Sequence, residues 1–132
     1  MNTPRVVLDT NILVSALMTP SGNPANVYKM FLAGLLLLVY SEDIMLEYED
    51  VLFRPLLRIP IEDATAVLKA IRQLGELTMP DPSMDDMLDE DDRIFLDAAI
   101  NTGAFLITGN TRHFPKVPFI LTPTEFLELL KI

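Results

Sequence analysis

The chain has 132 residues, half of them apolar and 22% charged. That is the composition of one globular domain with a real core, and it excludes a disordered chain. It has no cysteine, which removes disulfides, thiolate zinc sites and cysteine nucleophiles and fits a cytoplasmic protein. The net charge of −9, from 19 acids against 10 bases, argues against nucleic-acid binding through a broad basic surface.

Taken in chain order, Arg5–Asp9 reads as a first strand, apolar and β-branched, that carries an aspartate to its end. A helix from about Asn11 to Met18 follows, then the turn cluster Thr19-Pro20-Ser21-Gly22-Asn23-Pro24 and a second helix from about Ala25 to Ala33. Leu36–Tyr40 is a continuous apolar run suited to a buried parallel strand. Ser41 is placed to cap a helix through Phe53, with Glu42 and Asp43 at its positive end. Pro55 and Pro60 break the chain, helix resumes from Ile61 to Leu74, and Glu76–Met79 reads as a short strand. An acidic loop, Pro80 to Asp89, leads to a helix ending near Asn101 and a buried strand, Phe105–Thr108. Val117–Leu121 reads as the last strand. Thr122-Pro123-Thr124-Glu125 has the cap, first-turn proline and reciprocal glutamate of a helix that runs to Leu130. This alternation predicts a single domain over residues 1–132, an α/β sandwich with a mostly parallel central sheet. No apolar run is long enough to span a bilayer, and no charged-then-apolar leader precedes Asp9.

The carboxylate at the end of the first strand is the leading candidate for chemistry, because ligands and metals bind at that edge of open α/β sheets. Helical angles sort the other acids. Ile44, Tyr48, Val51 and Leu52 define the inward stripe of their helix, and Glu47 lies on its shoulder, either reaching the sheet edge or shielding the core from the surface. In the later helix Phe95, Leu96, Ala99 and Ile100 set the buried face, with Asp92 near its middle; Asp97 projects away and reads as solvated. Asp92 can cap the helix, but an inward carboxylate also calls for a cation or several donors, and the site reading is preferred. Three carboxylates, Asp9, Glu47 and Asp92, thus come from separate elements to one edge, a hard-oxygen set suited to Mg²⁺ or Mn²⁺. The acidic stretch Asp81–Asp92 contains no glycine and so is not a calcium EF-hand loop.

With those residues in place, the whole chain resembles the PIN domain family, in particular the toxins of bacterial and archaeal toxin–antitoxin pairs. Val6-Val7-Leu8-Asp9-Thr10-Asn11-Ile12-Leu13-Val14-Ser15-Ala16 resembles the family's first motif, with Asp9 as a metal ligand and Asn11 and Ser15 as supporting polar groups. Glu47 matches the family's glutamate, Asp91-Asp92-Arg93-Ile94-Phe95-Leu96-Asp97-Ala98-Ala99 its third motif, and Phe105-Leu106-Ile107-Thr108-Gly109-Asn110 its fourth. The resemblance implies a three-layer α/β/α fold and a Mg²⁺- or Mn²⁺-dependent ribonuclease acting on RNA phosphodiesters. It also implies an antitoxin partner and a homodimer. One departure stands out: Asn110 occupies the place of a fourth aspartate and brings an oxygen ligand, direct or through water, without charge. Thr108 would support the site.

His113 reads as a loop residue that packs or bonds locally, and Arg112 and Lys116 are candidates for substrate phosphates. A haloacid-dehalogenase-type phosphotransferase needs a second aspartate where Asn11 stands. A response-regulator receiver needs a lysine that Thr108-Gly109-Asn110 does not offer. A PIN-like binding or interaction module, catalytically weakened through Asn110, is the alternative function.

Overall fold

The structure is a computed structural model that describes residues 3–82 and 90–131. Asp85, Asp86 and Asp89 of the acidic cluster lie outside the described residues. The strands are β1 (Arg5–Leu8), β2 (Leu37–Tyr40), β3 (Glu76–Leu77), β4 (Phe105–Ile107) and β5 (Ile120–Leu121). The helices are α1 (Thr10–Met18), α2 (Asn23–Leu32), α3 (Glu42–Leu52), α4 (Ile61–Leu74), α5 (Arg93–Thr102) and α6 (Pro123–Leu130). Short 3₁₀ turns at Pro55–Leu57, Glu90–Asp92 and Thr111–His113 complete the described elements. The last two strands and β3 are shorter than the sequence pattern suggests, because few of their residues pair with a neighbour.

All described strand pairs are parallel, in the order β3-β2-β1-β4-β5. This is the three-layer α/β/α arrangement with a parallel sheet at its centre. Val6, Val7, Leu8, Leu38, Val39, Leu106 and Ile107 are completely buried, which is why these strands read as unbroken apolar runs rather than alternating ones. Around the sheet, α1 packs on α2 and α2 on α6, while α5 lies against β1, β2 and β4 and touches α3.

Local signals fix the helix ends. The Ser41 hydroxyl accepts from the Ile44 amide at 3.2 Å, and Thr122 and Glu125 form a reciprocal capping box at 3.1 and 2.9 Å. Gly75 ends α4 where a Cβ would sit 2.6 Å from the Ile71 carbonyl and 2.9 Å from that of Leu38, so no larger residue lets α4 return this closely to β2.

One expectation is overturned. Asp97 is buried, 9% exposed, whereas Ile100 is 44% exposed. The buried part of α5 is the continuous run Phe95–Ala99 rather than a stripe. The Asn101 side chain exchanges hydrogen bonds with the Asp81 backbone, at 3.1 and 3.3 Å, so a segment distant in sequence is held against α5. A helical-wheel argument assumes one covered face, and α5 has more than one.

Candidate active site

β1 is central, with β2 on one flank and β4 on the other, and the chain reaches these neighbours in opposite directions from it. In open α/β sheets the ligand crevice lies at such a switch point, beyond the carboxyl ends of the strands, here β1 and β4. Asp9 follows β1 there and Thr108 follows β4. Register pairs Leu8 with Ile107, so the next residues of each strand emerge side by side. The Thr108 hydroxyl, completely buried, donates to Asp9 Oδ2 at 2.7 Å, and the Thr10 and Asn11 amides lie near enough to favour the charged form. Asp9 is 6% exposed, and burial pushes its pKa above the ordinary 3.8 despite those donors and the nearby His113. Desolvation thus outweighs all the stabilisation the protein itself supplies to the charge.

The other two acids join this centre through intermediaries. Thr10 donates its hydroxyl to Glu47 Oε2 at 3.3 Å, linking the half-buried glutamate on α3 to the residue beside Asp9. Tyr48, completely buried, donates its hydroxyl to the Leu8 carbonyl at 2.5 Å. Burial first, then the charges of Asp9 and Glu47, hold the Tyr48 pKa well above its usual value, so it stays a neutral donor. Asp92 makes no capping bond to α5; its Oδ2 lies 3.1 Å from His113 Nδ1. The Asp92 side chain is 18% exposed and that of His113 43%.

The structure therefore brings Asp9, Thr108 and Glu47 into one bonded network, and His113 connects Asp92 to the same region. Asn110 enters through its backbone: its amide donates to the Thr108 hydroxyl at 3.0 Å and its carbonyl accepts from the His113 amide at 3.0 Å. Asn11 and Ser15 are exposed on α1. His113 and Tyr48 were not legible as site residues. His113 had no helical or strand period to orient it, and Tyr48 was legible only as core. Thr10 carried a readable signal, since a residue next to a strand-end aspartate shares its edge.

Among the described residues no three carboxylate or imidazole groups gather into a ready-made metal cage. Mg²⁺ does not require one, because it commonly binds through one or two carboxylates and keeps several waters. The donor set fits such an ion: hard oxygens around a buried carboxylate that lacks enough positive compensation.

Two clefts are built from the elements that carry these residues. One, of about 410 Å³, is lined by Asp43, Glu47, Asp50, Glu90 and Asp91 with no base. The other, of about 470 Å³, lies between the Thr111–His113 turn and α6 and is lined by Arg112 and Lys116 among apolar residues.

The strand-end aspartate, the switch-point crevice and the parallel sheet define a class that comparison makes specific. The PIN domain family model matches residues 5–112, and the chain belongs to that family. An uncharacterised protein of Methanocaldococcus jannaschii is 28% identical over 143 residues, covering 94% of this chain and 90% of its own. The crystal structure of VapBC2 from Rickettsia felis, bound to a DNA fragment from their promoter, superposes with a TM-score of 0.58. That match is 19% identical and covers 89% of this chain and 96% of the other, so it speaks to the fold.

Proposed function

We propose that this protein is a Mg²⁺- or Mn²⁺-dependent endoribonuclease, the toxin component of a toxin–antitoxin pair. The observation that carries the reading is Asp9: a carboxylate 6% exposed at the switch point, with its pKa raised by desolvation. A protein accepts such a cost where a cation is to be bound. Membership of the PIN family and the sequence resemblance to its toxins support the nuclease reading. The fold shared with VapBC2 supports an antitoxin partner, and a cytoplasmic location and a homodimer belong to the same reading.

Asp9, Glu47 and Asp92 would hold the metal, with Asn110 contributing weakly or through water. When bound, the metal activates water and neutralises charge on the phosphate under attack. The chain's own residues do the rest. Thr108 fixes the Asp9 carboxylate from its buried side. Thr10 orients Glu47, whose carboxylate is the less buried of the two and accepts the attacking water's proton. His113 orients Asp92. One observation favours a second reading, a weakened binding module: Asn110 brings no charge.

Incubation with single-stranded RNA and Mn²⁺ separates the two. Metal-dependent fragments that vanish in Asp9→Asn support the nuclease; a folded protein that leaves many RNAs intact supports the module.

A further inference from the structure

The distribution of the ten bases identifies which flank of the site receives the substrate strand. Arg5, Arg54, Arg72, Arg93 and Lys131 are each within ion-pair distance of a carboxylate. Lys29 donates to the Pro20 carbonyl at 2.8 Å. Arg58, Lys69, Arg112 and Lys116 make no ion pair among the described residues. Arg112 and Lys116 alone of these sit on the loop that leaves β4 through Thr108 and Asn110, and Arg112 immediately precedes the histidine bonded to Asp92. Both line the 470 Å³ cleft, whose other walls are largely apolar, among them Pro115, Val117 and Pro118. Its one acid, Glu125, is engaged in capping α6 through the Thr122 amide.

The acidic cleft is lined by five acids and no base, and although Asp50 and Glu90 pair with Arg54 and Arg93, its acidic lining disfavours a phosphate backbone. A volume near 470 Å³ is within the range of pockets that take a small ligand.

We propose that this cleft is the subsite for the RNA nucleotide next to the scissile phosphate. Arg112 and Lys116 hold the flanking phosphate, and the proline-lined wall receives the base. The assignment rests on the ribonuclease reading and deepens it by giving the strand a direction: away from the acidic cleft and along the Asn110–Pro118 loop. It also explains how a chain of net charge −9 holds an anionic polymer, by placing two bases that make no ion pair among the described residues beside the site.

The test uses the full chain carrying Asp9→Asn, so that RNA is bound but not cut, and a fluorescent single-stranded RNA decamer titrated across salt concentrations. Each neutralised phosphate contributes about −0.7 to the slope of log K against log salt for single strands. Arg112→Ala and Lys116→Ala are each expected to flatten the slope by about 0.7 and to weaken binding about eightfold at 0.05 M salt. Lys69→Ala, on the outer side of α4, leaves both unchanged. In the otherwise native chain the two loop variants raise KM with little change in kcat. Unchanged slopes with intact metal-dependent cleavage in the native chain overturn the subsite and spare the ribonuclease. Flattened slopes without cleavage in the native chain keep the strand track and overturn the ribonuclease.

Discussion

Replacing Tyr48 by phenylalanine removes one oxygen from the tie between α3 and β1, and the consequence can be worked from the contacts. The ring stays packed, with its centroid 6.4 Å from that of Phe95, so the change is confined to the hydrogen bond. The recorded β1–β2 register covers Arg5–Leu37 and Val6–Leu38, and beyond it the Leu8 carbonyl receives the Tyr48 hydroxyl. In Tyr48→Phe that carbonyl is buried without this donor, which costs about 1–3 kcal/mol. At the entropy of unfolding of a domain this size, the melting midpoint falls by roughly 4–10 °C. Calorimetry reads this directly, with Tyr28→Phe as the control. Tyr28 is half-buried, and its pKa is pushed up to about 12 by burial, but its hydroxyl makes no hydrogen bond among the described residues. Its removal should cost no more than about 0.5 kcal/mol. Because Leu8 precedes Asp9 and Tyr48 follows Glu47, the same variant loosens two acids at once, and cleavage should fall by about tenfold or more. A midpoint within about 1 °C of the native chain would refute the clamp.

Other perturbations have definite signs. Without divalent metal, Asp9→Asn should be more stable than the native chain at pH 7, by about 0.5–2 kcal/mol. The native carboxyl pKa is raised above 3.8, so the folded state binds the extra proton in that window. Stability of the native chain relative to the variant therefore declines as pH rises through the raised value and recovers below 3.8, and pH-dependent melting with chelator checks it. A variant less stable at pH 7 would contradict the dominance of desolvation. His113→Ala should lower cleavage by about tenfold at saturating Mn²⁺, while His113→Gln, which retains a donor for Asp92, should recover part of it. With a 43% exposed side chain, neither variant should move the melting midpoint by more than about 4 °C. Thr122→Ala breaks the capping box and should cost about 1 kcal/mol with unchanged cleavage per folded molecule.

Sequence patterning carried the architecture because β1, β2 and β4 are buried and therefore read as unbroken apolar runs, and because Ser41, Gly75 and the Thr122–Glu125 box mark helix ends chemically. Asp9 was legible for the same reason: strand identity places its last residue at the sheet edge. Glu47 followed from the angle it makes with Tyr48 and Val51. Asp97 did not, since α5 is covered on more than one face and a single stripe does not describe it. His113 was illegible because an irregular loop gives no period, and only the turn built from Asn110 carries its ring to Asp92. Asn110 looked like a weakened ligand; its clearest role in the fold is as the backbone hinge between Thr108 and His113.

If the carboxylates joined through Thr10, Thr108 and His113 hold a divalent cation that cuts RNA, loss of Asp9 or of Asp92 abolishes cleavage. Cleavage of single-stranded RNA by the native chain, Asp9→Asn and Asp92→Asn, each with Mn²⁺ and with chelator, tests it most directly. Fragments are expected from the native chain with Mn²⁺ alone and none from either variant. Cutting that persists in chelator, or full activity in both variants, would contradict it.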